Sequence, residues 1–568
     1  MRSLKEKIAA AVYKGIERIA PSAAVPENEI VTYLAYPPDG KMGDIALPCF
    51  RFAKALRMAP PAIAAALADG FCCEGVASVE TAGGYLNFRI DRGALLERLY
   101  GQISSQDKPY GSSDIGAGKT VVLDYSSPNV AKPFHIGHLG TTVIGHSLKK
   151  MHEFAGYKCI GVNHLGDWGT QFGKLIVAYR KWGSKQAVEE KGIDELVALY
   201  VRFHEEAEKE PSLNDEARAA FTALEHGDPE MTELWRWFID ISIKEYKKTY
   251  KQLDIEFDYY TGESFYTDKM PAVVEELKEK NLLSIDDGAS IVDLEAYGMP
   301  PCLILKRDGS TLYPTRDIAA AIYRKKTFDF DKCIYVTSAG QSLHFAQWFK
   351  VLELMGRDWY NRLVHVPYGT VSLNGEKLAT RTGNVVLLKD LFAEAIEKAA
   401  AIMAEKNPEL AGREDVAESV GIGAVVFYYL SANRMRDINF VLEDALNFDG
   451  NTGPYAQYTY ARTCQILKKA GEFKPGPYDL NDDEFELCKT IALFPETFDQ
   501  ALAEYEPSII TRYVLDLCAA FNRFYHNCPV LTAENESVKA QRLALTECTN
   551  KVLSSALELI CVRHPEKI

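Results

Sequence analysis

The sequence has little of what membrane insertion, secretion or cysteine-based metal binding would need. No apolar run approaches the roughly 20 residues of a membrane-spanning helix. Charged residues interrupt the segment 1–10, which therefore lacks the apolar core of a secretory signal. The 12 cysteines are scattered, apart from the adjacent Cys72 and Cys73, and no Cys-x-x-Cys pair occurs. We expect a cytoplasmic protein with reduced thiols, no membrane association and no protein-bound structural metal.

A surplus of basic residues is also missing. The formal net charge is −15, whereas a protein that coats nucleic acid nonspecifically needs a basic surface to neutralise phosphates. DNA is therefore not an expected partner, and any RNA must be met by local basic patches. What the chain does have is the composition of an ordinary globular protein, with 47% hydrophobic and 25% charged residues.

The chain of 568 residues is too long for one hydrophobic core, since domains average roughly 150 residues. Changes in the hydrophobic pattern predict boundaries near residues 112 and 440. Residues 1–112 are predicted to form a small α/β domain and residues 441–568 an all-α helical bundle. Between them, residues 113–440 are predicted to form a doubly wound α/β domain with a helical insertion at about 184–252.

Periodicity places individual elements within these parts. Apolar residues recur at steps of three or four from residue 2 to 19, which predicts an amphipathic helix. Short apolar or alternating runs predict strands at 30–34, 84–90, 120–125, 333–337 and 362–366. Longer periodic runs predict helices at about 139–154, 509–524 and 539–561.

The segment 126–139, SSPNVAKPFHIGHL, lies between the predicted strand at 120–125 and a helical segment. Strand, loop and helix in this order form the phosphate-binding arrangement of Rossmann-type sheets. His135 and His138 are three residues apart at the start of the helix, so both can face a phosphate, and Gly137 leaves room for a nucleotide. A bare His-x-Gly-His nevertheless recurs by chance, and histidines also serve as helix caps or buried hydrogen-bonding groups.

The flanking residues make the motif more specific. Segment 126–139 resembles, over its whole length, the HIGH-region signature of arginyl-tRNA synthetases. Further segments resemble that family's other motifs in the same order, at 166–173, 312–319, 341–344 and 377–383. The resemblance implies a class I synthetase that uses ATP, L-arginine and tRNA(Arg), with an N-terminal domain on the tRNA elbow and a C-terminal domain on the anticodon. We expect it to act as a monomer.

The resemblance also implies a mechanism. The arginine carboxylate attacks the α-phosphate of ATP and diphosphate leaves, so catalysis is mainly positioning and charge stabilisation. Residues matching His135, Gly137, His138 and His344 bind the nucleotide in the family, and Mg²⁺ helps to neutralise the diphosphate.

The second signature loop, 377–381, departs from the usual KMSKS form because Thr380 occupies the place of the second lysine. Many arginyl enzymes share this loss and compensate with the lysine before the first histidine, which is Lys132 here. We therefore expect Lys132, supported by Lys377 and Arg381, to neutralise the diphosphate. The alternative is that Lys132 is a solvated loop charge.

An arginine pocket needs acidic and planar acceptors, because a guanidinium is always charged and offers five donors in a fixed fork. By the resemblance, the arginine-binding residues are Asp124, Ser127, Asn129, Tyr313, Asp317 and Gln341. Tyr313 and Asp317 are four residues apart and share a face if their segment is helical. Many relatives have glutamate at the position of Asp124, so the end of arginine that Asp124 contacts stays open.

Two regions are expected to contact tRNA. Tyr85 and Asn87 alternate on a predicted strand, where the tyrosine can stack an unpaired base and the asparagine can hydrogen-bond its edge. Tyr525 matches an anticodon-stacking position, although an aromatic at helical spacing is more often part of a core. The chain ends in Ile568 where relatives commonly have methionine, which leaves the role of the last residue open.

Other functions fit the same residues less well. A cysteinyl or glutamyl enzyme would share the histidine motif, but the cysteinyl enzyme would normally bring zinc-binding cysteines and lack the domain that carries Tyr85. A small nucleotidyltransferase would not need the helical C-terminal bundle. A noncatalytic tRNA-binding protein would not need His135, Gly137, His138 and Lys377 intact.

Overall fold

A computed structural model describes residues 1–23, 25–105, 108–377, 386–406, 413–474 and 476–568 of the chain. Arg381 of the predicted site therefore lies outside the described residues, together with Thr380. Within the described ranges the chain folds as predicted, with an N-terminal α/β part, a parallel-sheet part that carries a helical insertion, and a C-terminal bundle.

The N-terminal part packs helices on a small antiparallel sheet of strand order β1-β3-β2. Its elements are α1 (Arg2–Ile19), α2 (Glu27–Tyr33), β1 (Ile45–Pro48), α3 (Ala53–Leu56), α4 (Pro60–Ala68), β2 (Val76–Ala82), β3 (Tyr85–Ile90) and α5 (Arg92–Ser105). Helix α1 buries Leu4, Ile8, Val12 and Ile16, as its periodicity predicts. Strand β3 confirms the strand predicted at 84–90.

The strand predicted at 30–34 is wrong, because residues 30–33 belong to helix α2. Ile30 and Leu34 are both buried, and a separation of four positions suits one face of a helix as well as alternate positions of a strand. Pro26 precedes the helix, and Glu27 and Glu29 lie in its first turn, where acidic side chains interact favourably with the helix dipole. These start signals outweigh the strand-like alternation.

The central part is built on a five-stranded parallel sheet of order β11-β10-β4-β5-β6. Its first elements are β4 (Thr120–Asp124), α6 (Ile136–Phe154), β5 (Lys158–Asn163), α7 (Thr170–Trp182), α8 (Lys185–Lys191), α9 (Ile193–Lys209), α10 (Ser212–Glu225), α11 (Pro229–Gln252), β6 (Tyr259–Tyr260) and α12 (Met270–Glu279). They are followed by β7 (Ser284–Asp286), β8 (Ala289–Val292), β9 (Cys302–Leu305), α13 (Tyr313–Phe328), β10 (Lys332–Ser338), α14 (Ser342–Leu354) and β11 (Leu363–Tyr368).

Strand β4 lies at the switch point of this sheet. Strand β5 pairs with it on one side and β10 on the other, so the chain order reverses between β4 and β10. Ligands of doubly wound sheets bind in the crevice outside the carboxyl ends of the strands at such a point. The loop after β4, which carries the histidine motif, therefore opens onto the expected site.

The remaining elements form a third three-stranded sheet, of order β13-β12-β14, after those of order β1-β3-β2 and β7-β8-β9, and a helical bundle. They are β12 (Val371–Leu373), β13 (Glu376–Lys377), α15 (Leu388–Lys406), α16 (Glu414–Ser431), β14 (Ile438–Phe440), α17 (Leu442–Ala445), α18 (Gly453–Ala470), α19 (Asp482–Ala492), α20 (Phe494–Glu504), α21 (Pro507–Asn527) and α22 (Glu536–Leu559). Helix α6 packs on the bundle, where the Ser147 hydroxyl donates to the Leu559 carbonyl at 2.7 Å. No helix among the described residues is long and apolar enough to cross a bilayer.

The buried carboxylate of Glu506 joins the bundle to the parallel sheet. It caps α21 and accepts hydrogen bonds from the Asn433 amide at 2.9 Å and the Arg434 backbone N–H at 3.3 Å. The Arg434 guanidinium in turn donates to the Pro367 carbonyl at the end of β11, at 2.7 Å.

Replacing Glu506 should therefore destabilise the protein. We expect Glu506→Ala to lower the free energy of unfolding by about 2–3 kcal/mol, because it removes the acceptor of the buried Ser508 backbone N–H and of partly buried donors of Asn433 and Arg434. Thermal melting followed by circular dichroism measures the change. Glu504→Ala is the matched control, since Glu504 is exposed and its side chain bonds Gln500 on the same helix. Equal melting temperatures for the two variants would contradict this account of the interface.

Candidate active site

The loop between β4 and α6 has an unfavourable backbone conformation. Ser126, Ser127 and Ala131 have φ angles of 71°, 48° and 59°, in the left-handed region that residues other than glycine rarely adopt. Such residues cost roughly 1–3 kcal/mol each and persist only where surrounding contacts hold them. They therefore mark a loop whose shape is imposed from outside.

Helix α11, the last helix of the insertion, holds this loop. Tyr246 donates its hydroxyl hydrogen to the carbonyl oxygens of Asn129 and Lys132, both at 2.7 Å. One turn earlier, Ser242 Oγ accepts from the Ala131 backbone N–H at 3.0 Å. One turn later, Tyr250 Oη lies 2.8 Å from the Ser126 hydroxyl. Because side chains four positions apart share a helix face, one stripe of α11 fixes the whole loop.

The two histidines begin α6 as a reciprocal cap. His135 Nδ1 accepts from the Gly137 backbone N–H at 3.1 Å, and the His135 backbone N–H donates to His138 Nδ1 at 3.2 Å. The ring of His138 also stacks on Phe134, with centroids 5.1 Å apart. These residues are therefore helix caps that stand at a helix N-terminus facing the crevice, and their binding of a phosphate stays a prediction.

Burial keeps both rings neutral near pH 7. It lowers the pKa of His138 to about 3 and also lowers the pKa of His135, with a further contribution from the Lys132 charge. In the neutral rings Nδ1 is the acceptor, so the proton is on Nε2 and that nitrogen is a donor. The pair offers N–H groups to a phosphate rather than two fixed positive charges.

A cavity of about 610 Å³ opens at the carboxyl ends of β4 and β10. Most of the predicted substrate residues line it, namely Asp124, Ser127, Asn129, Gly137, His138, Tyr313, Asp317, Gln341 and His344. Tyr313 and Asp317 lie on helix α13, as their spacing predicts. His344, predicted from the family to contact ATP, has its Nε2 2.6 Å from Asp317 Oδ2 and so also belongs to the surroundings of that carboxylate.

The cavity contains three carboxylates in different electrostatic surroundings. Asp124 Oδ2 lies 2.7 Å from Arg324 Nη1, and Glu263 Oε1 lies 2.8 Å from Arg316 Nη1. Asp317 is paired with His344 alone among the described residues. Above pH 7, three negative and two positive charges leave the cavity with one net negative charge, at the carboxylate without an arginine partner. A cavity of this charge suits a ligand with one net positive charge.

Sequence reasoning missed Glu263, Arg316 and Arg324. Burial, with the nearby Asp167 and Asp317 charges, raises the pKa of Glu263 to about 7 in spite of Arg316. Glu263 is the first residue of the short 3-10 helix Glu263–Lys269, which lies outside all of the motif segments. Arg316 and Arg324 lie on α13 close to the recognised Tyr313 and Asp317, so that helical segment was the available signal for the two arginines.

The structure describes only part of the set of cations that was predicted to neutralise the diphosphate. Lys132 is exposed on the loop before His135 and does not line the cavity. Lys377 ends strand β13, and its partner Arg381 lies outside the described residues. The diphosphate-neutralising set of Lys132, Lys377 and Arg381 therefore stays a prediction.

The residues predicted to contact tRNA differ in exposure. Tyr85 is 44% exposed, whereas Asn87, on the same strand, is 6% exposed because it lies under the loop at Gly43. In the bundle, Arg462 lies between two exposed rings, with its Cζ 5.0 Å from the Tyr458 centroid and 5.2 Å from the Tyr525 centroid. Tyr525 is thus part of an exposed aromatic surface, which we define as Tyr458, Arg462 and Tyr525, and not of the core.

The parallel sheet, the capped histidine pair and the cavity at the switch point define the catalytic domain of a class I aminoacyl-tRNA synthetase. A family model described as "tRNA synthetases class I (R), catalytic domain" matches residues 101–442. Models of the "Arginyl tRNA synthetase N terminal domain" and the "DALR anticodon binding domain" match residues 2–90 and 456–568. The chain belongs to the arginyl-tRNA synthetase family.

Relatives and solved structures agree over the full length. The chain is 49% identical over 573 residues to the arginine–tRNA ligase of Alkaliphilus metalliredigens, covering 100% of both chains. It is 51% identical to that of Clostridioides difficile, covering 95% of this chain and 96% of the relative. Among solved structures, the arginyl-tRNA synthetase of Thermus thermophilus superposes with a TM-score of 0.84 at 26% identity, over 100% of both chains.

The hydrogen bonds between helix α11 and the loop from β4 to α6 predict an effect on activity. Tyr246→Phe removes one hydroxyl and its partly buried hydrogen bonds to the Asn129 and Lys132 carbonyls, so the loop before His135 should lose its fixed position. We expect kcat of ATP–diphosphate exchange to fall about tenfold, with a smaller change in KM for ATP. Tyr259→Phe is the control, because Tyr259 is exposed on β6. An unchanged kcat in Tyr246→Phe would show that the contact of Tyr246 with the loop does not contribute to catalysis.

Proposed function

We propose that this protein is an arginine–tRNA ligase, which activates L-arginine with ATP and transfers it to tRNA(Arg). In the first step a carboxylate oxygen of arginine bonds to the α-phosphorus of ATP, and diphosphate leaves. In the second step a hydroxyl oxygen at the 3′ end of the tRNA attacks the arginyl carbonyl, and AMP leaves. The observation that carries this proposal is the carboxylate of Asp317, which among the described residues has no arginine or lysine partner, in the cavity that His138 of the capped histidine pair also lines.

The arrangement of the cavity supports definite roles. Asp317 would supply the net negative charge for the guanidinium, and Glu263, which Arg316 already neutralises, would add acceptor oxygens for the planar fork, with Tyr313 at the rim. Asp124, Ser127, Asn129 and Gln341 would hold the α-amino and α-carboxyl groups near β4. His135 and His138 would donate from Nε2 to the nucleotide phosphates, beside Gly137.

Positive charge at the diphosphate would come from Lys132, Lys377 and Arg381, in agreement with the loss of a lysine at Thr380. Mg²⁺ would arrive with ATP as part of the substrate. Phosphate oxygens of ATP would be among its ligands. A bound ion would supply electrostatic stabilisation of the leaving diphosphate.

The tRNA would be held at both ends of the molecule. Exposed Tyr85 would stack an unpaired base of the elbow, and Asn87 could take part only if the loop at Gly43 moved. The aromatic surface would stack anticodon bases, with Arg462 contributing a cation between the rings. The proposed boundaries remain 1–112, 113–440 and 441–568, with the insertion at about 184–252, and the proposed state is a cytoplasmic monomer.

The activity is tested by ATP–diphosphate exchange with a panel of amino acids, with and without tRNA(Arg). We expect exchange with arginine and tRNA(Arg) together, and little with lysine or citrulline, because each leaves part of the carboxylate pair unpaired. Asp317→Asn should raise KM for arginine by about 100-fold while KM for ATP changes little. Exchange with a different amino acid, or none with arginine plus tRNA(Arg), would overturn the proposal.

The raised pKa of Glu263 predicts a pH dependence of arginine binding. Below about pH 7 this carboxyl is protonated and neutral, whereas a guanidinium prefers the ionised form. KM for arginine should therefore rise as the pH falls below 7, by up to about tenfold per pH unit, and fall as the pH rises through 7.

Glu263→Gln should have a higher KM that changes little between pH 6 and 8. Glu153→Gln is the control, because burial also raises the pKa of Glu153 but this residue lies on α6 away from the cavity. If wild type and Glu263→Gln showed the same pH profile of KM, Glu263 would not be a guanidinium acceptor.

A further inference from the structure

Arg324 is a buried cation directly behind the substrate cavity. Its side chain is 1% exposed, and it lies on α13 seven positions after Asp317, two turns along the same helix. Nη1 lies 2.7 Å from Asp124 Oδ2, and Nη2 lies 3.4 Å from His164 Nδ1. Nε has no hydrogen-bond partner among the described residues. The carboxylate of Asp124 is thus the one strong partner that this guanidinium has within the described part of the chain.

Placing a guanidinium here is costly for the fold. Removing such an ion from water costs several kcal/mol, and one carboxylate, the His164 imidazole and the Tyr335 ring, whose centroid lies 5.5 Å from Cζ, compensate for it incompletely. An apolar side chain beneath Asp124 would leave a buried carboxylate with the Ser127 hydroxyl, at 2.9 Å, as its remaining donor. The Arg324–Asp124 ion pair therefore leaves the cavity wall at Asp124 without net charge. A neutral residue in place of Arg324 would leave a negative charge there.

The charge at Asp124 affects the orientation in which arginine binds. Arginine has a cationic group at each end, but its α-ammonium is next to its own carboxylate, so the α end has no net charge and the side-chain end has one positive charge. Two equally uncompensated carboxylates would attract the guanidinium to either end of the cavity. Only one of the two orientations brings the α-carboxylate to the nucleotide.

We propose that Arg324 is a specificity-determining positioning residue, which fixes and neutralises Asp124 so that Asp124 receives the zwitterionic α end while Asp317 receives the guanidinium. This inference rests on the proposed function. Arg324 acts through Asp124 and touches no reacting atom. Under this inference Asp124 meets the α-amino end of arginine.

Agmatine, which is arginine without its carboxylate, is the probe for this role. It has two cationic ends and a net charge of two, so an uncompensated Asp124 should attract it more than it attracts arginine. In Arg324→Gln we expect the ratio of the Ki of agmatine to the KM of arginine, measured by ATP–diphosphate exchange with tRNA(Arg), to fall about tenfold. Arg324→Lys keeps the charge and should keep the ratio near wild type, with a lower kcat because the fork geometry is lost.

Two further variants separate this role from a loss of packing. Asp124→Asn combined with Arg324→Gln removes both charges, so its ratio should return toward wild type and its melting temperature should exceed that of Arg324→Gln. Arg542→Gln is the matched control, because Arg542 is a buried arginine paired with Glu484 in the bundle, far from the cavity. It should lower the melting temperature without changing the ratio.

The outcomes are distinguishable. A wild-type protein that shows no arginine-dependent exchange refutes the proposed function itself. With an active wild type, Ki and KM that rise together in Arg324→Gln at a constant ratio refute the inference and leave Arg324 a structural residue. If Arg324→Gln does not fold, the test uses Arg324→Lys and the double variant instead. A ratio of the agmatine Ki to the arginine KM that differs from wild type in both variants would refute the inference.

Discussion

The hold of helix α11 on the loop between β4 and α6 is the constraint on which the rest of the site depends. Left-handed backbone at Ser126, Ser127 and Ala131 would relax without outside contacts, since each such residue costs roughly 1–3 kcal/mol. Hydrogen bonds from Ser242, Tyr246 and Tyr250 supply those contacts. Helix α11 of the insertion therefore supports the loop that leads to the histidine cap, together with the pairing of Asn129 with Gly166 and of His135 with Leu387.

Charge balance is the second constraint, and it follows from where α13 lies against the sheet. Helix α13 contributes Asp317 to the front of the cavity, Arg324 beneath Asp124 and Arg316 beside Glu263. The pattern of paired and unpaired carboxylates matches the charge pattern of free arginine, neutral at one end and positive at the other. In the proposed function the neutral histidine pair would meet the phosphates as donors, so the positive charge there would come from lysine and arginine side chains and from Mg²⁺.

The fold and much of the site could be predicted from the sequence, for reasons that differ by residue. Strand β4 and helix α1 followed from periodicity, and the residues around His135 from an ordered set of motifs. The helix at Ile30 was missed because a spacing of four suits both structures. Glu263, Arg324 and Tyr246 were missed because their roles arise from burial and tertiary contact. A polar residue outside a motif gives no local sign that a carboxylate or a strained loop lies beside it.

The same tertiary contacts explain how distant parts of the molecule keep a fixed geometry. Helix α21 begins at the cap of Glu506, where Arg434 bridges Tyr505 and the end of strand β11. Its 21 residues extend about 30 Å and end at the aromatic surface around Tyr525. Tyr368, the last residue of β11, lines the substrate cavity. Because a packed helix is stiff, the Arg434–Glu506 contact links the position of Tyr525 to the strand that ends at the cavity, and the packing of α6 on the bundle is a second link between the two parts.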